Sequence, residues 1–192
     1  MIPLETERLL IRRMSESDLD DFLAYQTHPE VMRYQPYEPA TRESAACFLA
    51  KQSVVEPDDA GAHLAFAVYH RRDDKMIGEV IIDFFPKAQG RGGIGWAFHP
   101  DYHGQGYASE AARALLTYGF SFLGLHRLTT FCDARNVASY RLMERLGMRR
   151  EGHSRQSMLL RGVWQDEYQY AILREEWLAL QESTDATEKI AC

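Results

Sequence analysis

The sequence predicts a single α/β domain in which helices flank a mixed, mainly antiparallel sheet. The chain has 192 residues, the size of one ordinary domain with a sizeable core. Residues 64–98 read as three strands joined by turns, and amphipathic helical patterns lie before and after them. We expect the folded domain to cover residues 1–182 and the polar residues 183–192 to form a flexible tail.

A strand and two helices come first. Residues 8–13 are a short apolar run, and residues 15–18 (SESD) resemble a capping box that starts a helix. This helix should end near His28, because Pro29 disfavours helical geometry in the residue before it. A second helix is expected to begin near Thr41.

The central part of the chain has the period of strands. We predict strands at residues 64–70, 76–85 and 94–98. The first two are joined by a polar turn at 71–74, and the glycine-rich residues 90–93 are expected to form the second turn. Together the three strands should form an antiparallel meander.

The last part of the chain alternates helices and strands. A helix is expected over 108–122, followed by a strand at 127–132, a helix at 137–146, a strand at 165–173 and a final short helix. The first of these helices should turn an apolar face to the sheet, made of Ala108, Ala111, Ala112, Leu115, Leu116, Gly119 and Phe122. Gly147 should close the next helix in the left-handed C′ position.

Composition excludes several classes of protein. Apolar residues make up 45% and charged residues 26% of the chain, as in folded globular proteins. No apolar stretch approaches the roughly 20 residues that a membrane span needs. Glu5, Glu7 and Arg8 stand where a secretion signal would be apolar, so a cytoplasmic location without membrane contact is expected.

Charge and cysteine content argue against nucleic acid and metal. The net charge is −6, whereas phosphate backbones attract clustered Lys and Arg. Cys47, Cys132 and Cys192 are widely spaced, with no CxxC pair and no histidine at zinc-ligand spacing. We therefore expect no nucleic-acid partner, no metal site and no disulfide. The negative charge mildly favours cationic small substrates.

The stretch PDYHGQGYA at residues 100–108 stands between a predicted strand and a predicted helix. A loop at that place presents unpaired backbone N–H groups at the positive end of the helix dipole, which favours a phosphate. Gly104 and Gly106 let an anion approach the backbone closely and tolerate a positive φ. The alternative is an ordinary strand-to-helix turn, in which glycine only relieves strain.

Two nucleotide-binding motifs match this stretch poorly. The dinucleotide fingerprint GxGxxG should turn directly after the first strand of a parallel βαβ unit, but here antiparallel strands and residues 99–103 come before it. The Walker A loop needs a Gly-Lys-Ser/Thr that does not follow. A nucleotide-dependent oxidoreductase is therefore the weakest functional alternative.

Several further motifs occur in order along nearly the whole chain. They are TERLLIR at 6–12, IGE at 77–79, IGW at 94–96, GQGYASEA at 104–111, NVASYRLMERLGM at 136–148, GVWQD at 162–166 and YAIL at 170–173. This set resembles the GNAT superfamily of N-acetyltransferases, especially its RimJ/RimL-like branch. The resemblance implies transfer of an acetyl group from acetyl-CoA to a primary amine by direct attack on the thioester.

The resemblance also implies where acetyl-CoA binds. The strand at 96–98 would splay from the strand at 128–132, with pantetheine in the gap and the pyrophosphate on the backbone of 103–109. The residues that it marks for the cofactor are Ala97, Phe98, His99, His103, Gly104, Gln105, Gly106, Tyr107, Ala108, Ser109, Asn136, Ser139 and Arg141. Considered alone, Asn136 is also a helix N-cap.

Acetyl transfer requires a neutral amine, so a base or water must take a proton from an ammonium whose pKa is about 10. Glu79, acting through water, is the candidate base, and His99, Asp101 and His103 are alternatives. A strand N–H near Phe98 is expected to stabilise the oxyanion.

Proton donation to the leaving thiolate is assigned by the resemblance. Many members carry a Tyr seven positions after the Asn, where this chain has Met143. The RimJ/RimL-like branch carries a Ser three positions after it, so Ser139 is the candidate catalytic donor to the sulfur. Its alternative role is a structural place in the first turn of a helix. Ribosomal-protein enzymes of the branch can carry a carboxylate in the segment that here holds Met158.

The acceptor pocket is expected to include Glu30, Tyr34 and Tyr37, although the two tyrosines could instead pack their loop onto the core. The acceptor would be an amine-bearing small molecule or a protein N-terminus. An alternative from another class is a non-catalytic acyl-CoA-binding sensor or assembly module, because Met143 and Met158 replace groups that handle protons. We expect a monomer or a homodimer.

Overall fold

The computed structural model describes residues 3–56, 61–86 and 89–190. Its strands are β1 (Leu4–Glu5), β2 (Leu9–Arg13), β3 (His63–His70), β4 (Lys75–Phe84), β5 (Arg91–Phe98), β6 (Arg127–Asp133), β7 (Arg149–Leu160) and β8 (Val163–Leu173). Its helices are α1 (Leu19–Gln26), α2 (Pro29–Met32), α3 (Arg42–Val54), α4 (Tyr107–Thr117), α5 (Val137–Arg145) and α6 (Arg174–Ile190). Short 3₁₀ turns lie at Glu16–Asp18 and Pro100–Tyr102, and a π turn lies at Tyr118–Phe122.

The strands form one sheet in the order β1-β2-β3-β4-β5-β6-β8-β7. Neighbouring strands run antiparallel except β5 and β6, which run parallel. The meander of β3, β4 and β5 is present, with Phe66 opposite Val80 and Val80 opposite Trp96. The expected mixed, mainly antiparallel sheet is confirmed.

Helices cover both faces of this sheet. On one face, α4, α5 and α6 contribute to a core that includes Leu115, Leu142 and Trp177. On the other face, α1 and α3 contribute to a smaller core around Tyr25 and Leu49. Because strand side chains alternate between the two faces, the same strands supply both cores. The face of the smaller core is only partly covered, and the cleft described below opens on it.

Helix ends follow the local sequence signals. Thr41 caps α3, since its Oγ1 accepts a hydrogen bond from the N–H of Ser44 at 3.1 Å. The capping box after β2 is formed, with the Ser15 N–H donating to the Asp18 carboxylate at 2.8 Å. Gly147 follows α5 with a φ of 81°. These predicted helix boundaries are confirmed.

Two expected details are wrong. Gly92 and Gly93 lie inside β5 instead of in a turn, and a Cβ on Gly92 would stand 2.9 Å from the carbonyl oxygen of Asp83, so glycine allows close strand packing. The helix after the loop ends in a π turn, which holds more residues per turn than an α-helix and so rotates the apolar face. As a result Phe122 is 50% exposed, and Phe120 is buried instead.

The strand β7, at one edge of the sheet, was not predicted from the sequence. Its 12 residues are mostly polar, and its register against β8 shifts between Arg150 and Gly152 and again between Ser154 and Met158. Bulges of this kind interrupt the alternation by which a strand is recognised. An edge strand also carries polar side chains on both faces.

The last helix is longer than expected. Trp177 anchors α6 in the core, and the helix continues to Ile190 through residues that were expected to form a flexible tail. In the described ranges, none of the helices has both the length and the apolar character that crossing a membrane requires.

Candidate active site

The strands β5 and β6 separate partway along their length. Their parallel pairing extends only as far as Gly93 opposite Thr129. Beyond that point, residues 94–98 and residues 130–133 diverge, while β5 stays paired with β4 and β6 stays paired with β8. A gap therefore opens in the middle of the sheet.

The backbone of β5 faces this gap with hydrogen-bonding groups. The His99 N–H donates to the Ile77 carbonyl of β4 at 2.8 Å. Successive backbone groups point to opposite sides of a strand, so the N–H of Phe98 faces away from β4 and into the gap. The carbonyl of Phe98, on the same side, lies 2.9 Å from His103 Nε2. The gap thus offers a main-chain donor to a ligand.

A cleft of about 650 Å³ opens at this gap. Its walls come from α1, α3, the loop after α2, the strands β4, β5 and β6, and the start of α5. The residues expected at the site that line it are Tyr34, Tyr37, Glu79, Ala97, Asn136 and Ser139. Separate segments of the chain therefore bring candidate acceptor, catalytic and cofactor residues into one space.

The loop before α4 has the conformation that an anion site needs. Gly104 and Gly106 have φ angles of 71° and 85°. The N–H of Glu110 donates to the carbonyl of Gly106, so the preceding amides, at 107–109, have no acceptor within the helix. A Cβ on Gly104 would meet nothing within 4 Å, which leaves the approach to these amides open. Such amides at the positive end of a helix dipole suit a phosphate.

Arg8 braces this loop. Its guanidinium donates to the Glu110 carboxylate at 2.7 Å and to the Gln105 carbonyl at 2.9 Å, and it lies 4.4 Å from the centre of the Tyr107 ring. Partial burial opposes ionisation of Glu110, but hydrogen bonds from Thr6 and Arg8 lower its pKa. The ionised pair holds the loop and the first turn of α4 in one arrangement.

Glu79 is a buried carboxylate in the cleft. Its side chain is 3% exposed, and Oε1 accepts a hydrogen bond from Gln26 Nε2 at 2.7 Å. Within the described part of the chain, neither Oε2 nor the hydroxyl of buried Tyr25 has a hydrogen-bond partner. Burial raises the pKa of Glu79 to about 7, against the opposing effects of His63, Gln26 and the nearby Tyr25 hydroxyl. A carboxyl group with such a pKa can take up a proton near neutral pH.

The start of α5 forms the opposite wall of the cleft. Asn136 Oδ1 accepts a hydrogen bond from the Ser139 N–H at 3.2 Å, so the N-cap role of Asn136 is confirmed. The hydroxyl of Ser139 lies beside the Cys132 thiol, whose pKa is raised to about 11 by burial. Met143 is fully buried in the core and does not reach the cleft. Ser139 is therefore the hydroxyl that α5 presents to the gap.

The loop after α2 forms one wall of the cleft. Tyr34 donates to the Arg135 carbonyl at 3.4 Å, and the Arg161 guanidinium donates to the Met32 carbonyl at 2.9 Å. This loop is therefore tied to the β7–β8 turn on one side and to the segment before α5 on the other. Tyr37 is about half exposed, but its partial burial and the charge of Glu79 raise its pKa to about 12, so its phenol stays protonated.

Several expected residues lie outside the lining of the cleft. Glu30 is exposed, because the short helix α2 turns it outward, so its expected place at the acceptor is not supported. Arg141 is exposed on α5, away from the cleft. The alternative bases His99, Asp101 and His103 follow the end of β5 and do not line the cleft either.

Sequence reasoning missed three polar residues of the cleft. Gln26 reaches Glu79 from α1, and nothing in the local sequence marks it. His63 and Asp83 form a pair, with Nδ1 and Oδ1 2.7 Å apart, and this hydrogen bond raises the pKa of His63. The available sequence signal for Asp83 was its position four residues after Glu79 in the apolar run at 76–84, because that spacing puts both acids on one face of a strand.

Comparison with known proteins identifies the family. The sequence model of the acetyltransferase (GNAT) domain matches residues 8–149. The chain belongs to the GNAT family.

Relatives of this GNAT protein agree with that assignment. The chain is 41% identical over 175 residues to the uncharacterized N-acetyltransferase YnaD of Bacillus subtilis, covering 91% of this chain and 98% of YnaD. It is 25% identical over 187 residues to the [ribosomal protein uS5]-alanine N-acetyltransferase of Escherichia coli, covering 92% and 93%. A GNAT acetyltransferase structure from Bacillus anthracis matches with a TM-score of 0.82 and 36% identity, covering 91% and 99%. This GNAT protein is therefore an acetyl-CoA-dependent N-acetyltransferase.

The described residues fit acetyl-CoA. Two glycines in the left-handed region precede helix amides that have no acceptor, which is a cradle for a diphosphate. The diverging edges of β5 and β6 leave backbone groups for the amides of pantetheine. In contrast, no group of three or more His, Cys, Asp or Glu residues in the described ranges is arranged to hold a metal ion.

Proposed function

We propose that this GNAT protein acetylates the primary amine of a small molecule or of a protein N-terminus by direct attack on the thioester, with Glu79 as the base. The observation that carries the proposal is the buried carboxylate of Glu79 beside the gap between β5 and β6. One of its oxygens, buried near the Tyr25 hydroxyl, has no hydrogen-bond partner among the described residues, so an acceptor amine or a bridging water that reaches it would satisfy it.

The acetyl donor would be held mainly by backbone. Residues 103–109 would bind the pyrophosphate of acetyl-CoA, and Asn136 with the open edge of β5 at Ala97 and Phe98 would bind the pantetheine arm. When bound, acetyl-CoA supplies an acetyl group activated as a thioester. Gly104 and Gly106 have no side chain, which leaves room for the diphosphate beside their backbone.

Glu79 would take the proton that the acceptor ammonium must lose. The pKa of a free ammonium is about 10, which is about 3 above that of Glu79, so the transfer would cost about 4 kcal/mol in water. Removal of the ammonium from water in the cleft lowers its pKa and narrows this difference, whereas the carboxylates that line the cleft oppose this change. The hydroxyl of Tyr25, which is fully buried and outside the lining of the cleft, lies near Glu79 and favours its ionised form.

Two other groups would act on the acetyl donor. The N–H of Phe98 faces the gap and can donate to the carbonyl oxygen as that oxygen gains negative charge. The hydroxyl of Ser139 can donate a hydrogen bond to the departing sulfur, since Met143 offers no proton there. Removing either interaction should slow the chemical step more than it weakens binding.

Two classes of acceptor remain in the proposal. The Escherichia coli relative is named for alanine of ribosomal protein uS5, which supports a protein acceptor. The aromatic rings of Tyr34 and Tyr37 and the carboxylate of Glu79 line a cleft that also suits a small amine. The non-catalytic sensor is not favoured, because a sensor has no need of a buried, unpaired carboxylate at the gap.

The test is release of free thiol from acetyl-CoA with a panel of polyamines, amino acids, aminoglycosides and peptides with free N-termini. We expect release with at least one primary amine and none with the corresponding tertiary amines, which have no proton to lose after attack. CoA binding without release by any amine would contradict the proposal and restore the sensor. A monomer or homodimer and a cytoplasmic location stay predictions, which sedimentation and cell fractionation can check.

A further inference from the structure

The open face of β4 and β5 forms a trough that leads away from Glu79. Its floor consists of residues paired across the two strands: Glu79 with Ala97, Ile81 with Gly95, and Asp83 with Gly93. Directly paired residues project to the same face of a sheet, so the trough has two carboxylates on its β4 side and almost no side chain on its β5 side. A Cβ on Gly95 would only touch Ile81, at 3.8 Å, which shows that the floor is open there.

Asp83 ends this trough. His63 is paired with it across β3 and β4, and His63 Nδ1 lies 2.7 Å from Asp83 Oδ1. The second oxygen, Oδ2, leans over β5, since it would stand 3.3 Å from a Cβ on Gly93. The ring of Phe48 lies 6.3 Å from that of His63 and also lines the cleft. A carboxylate oxygen and an aromatic ring therefore flank the far end of the trough.

Carboxylates outnumber basic groups in the lining of the cleft. Its lining carries five carboxylates and one histidine, and the described lining residues include no Lys or Arg; the acids are Glu38, Glu79, Asp83, Asp133 and Glu167. Asp133 is neutralised by Arg135 at 2.7 Å, but Arg135 itself is outside the lining. An independent sign of a ligand is Glu79 Oε2, which is buried and has no hydrogen-bond partner in the described structure. A ligand with donors and positive charge satisfies both features.

We propose that Asp83, His63 and Phe48 form a subsite for a second cation, so that the acceptor is a flexible amine with another positive charge at its far end. This subsite depends on the proposed function for one point only, namely that the amine at the Glu79 end is the one that is acetylated. Asp83 lies four positions after Glu79 on β4, which places their Cα atoms about 13 Å apart. When a cation binds, the Nδ1–H of His63 still donates to Oδ1 of Asp83, and Oδ2 accepts from the ligand.

Calorimetry with simple amines tests the subsite without requiring turnover. The ligands are diaminooctane with an amine at each end, aminooctanol with one amine replaced by hydroxyl, and diaminobutane, which is too short to reach both carboxylates. In the presence of CoA, we expect the wild-type protein to bind diaminooctane about tenfold more tightly than either of the others. Asp83→Asn should remove this preference. Asp74→Asn, at the opposite end of the same hairpin, should keep it.

The outcomes separate this inference from the proposed function. Equal affinity of the wild-type protein for diaminooctane and aminooctanol would overturn the subsite, and so would a preference that survives Asp83→Asn. The comparison in the wild-type protein stands even if the variant does not fold. If no amine releases thiol while the preference for diaminooctane is found, acetyl transfer to amines fails and the cation subsite stands. If thiol is released with an amine but the wild-type protein shows no preference for diaminooctane, acetyl transfer to amines stands and the cation subsite fails.

Discussion

Replacing Glu79 with Gln separates the charge of this side chain from its shape. The amide oxygen can still accept the hydrogen bond from Gln26, but no proton is taken up. Burial raises the pKa of Glu79 from an ordinary 4.5 to about 7, and this difference of about 2.5 is worth about 3 kcal/mol of folding free energy. Between these two values the folded protein holds a proton that the unfolded chain has lost, so wild-type stability falls as the pH rises.

The expected result is a pH-dependent difference between the two proteins. At about pH 8 the wild-type protein bears the whole cost of burying the ionised carboxylate. The free energy of unfolding of Glu79→Gln in urea should therefore be up to about 3 kcal/mol above that of wild type. At about pH 3, below both values, the carboxyl group is protonated in both states, and the contribution of its charge should disappear. Glu16→Gln, at an exposed position outside the cleft, should show no such trend.

The same substitution should lower kcat/KM by roughly 10²–10⁴, the usual contribution of a general base. In wild type, kcat/KM should rise with pH up to a pKa near 7, because only ionised Glu79 can accept the proton. A stability difference that is constant with pH, or a variant that keeps wild-type turnover, would refute the buried-base reasoning.

Three other changes test separate parts of the site. Gly106→Ala forces a residue with a side chain into a φ of 85° and points a methyl group at Arg8, so CoA should bind about tenfold more weakly in calorimetry. The control is Gly61→Ala, which has a similar φ and open space around it. It should lower stability by a similar amount and leave CoA binding unchanged. Ser139→Ala should lower kcat about tenfold with little change in KM, and unchanged turnover would remove its role as donor. Trp177 is 1% exposed, so Trp177→Ala leaves a cavity in the core and should lower the free energy of unfolding, measured by urea denaturation, by about 3–5 kcal/mol. A loss below about 1 kcal/mol would show that Trp177 does not anchor α6.

The parts of the fold that local chemistry dictates could be predicted from the sequence. The capping Thr41 and the C′ Gly147 mark helix ends by their own side chains or lack of one. The meander follows from alternating apolar residues, and the loop at 103–106 follows from its glycines. The edge strand β7 and the π turn at 118–122 could not be predicted, because bulges and an added residue per turn break the regular periods.

The candidate site was only partly predictable for a related reason. Glu79 and Ser139 lie in motifs that resemble the family, and both line the cleft. Gln26 and His63 acquire their roles through contacts with distant parts of the chain, namely with the carboxylates of β4. Glu30 looked suitable by residue type, but the direction of a short helix decided against it.

A crystal structure with CoA and diaminooctane bound tests the central claim most directly. We predict the diphosphate on the backbone amides of residues 104–109, pantetheine between β5 and β6, and one amine nitrogen within hydrogen-bond distance of Glu79 Oε2, directly or through one water. Diphosphate bound elsewhere, or an amine that leaves Glu79 without a contact, would contradict the account.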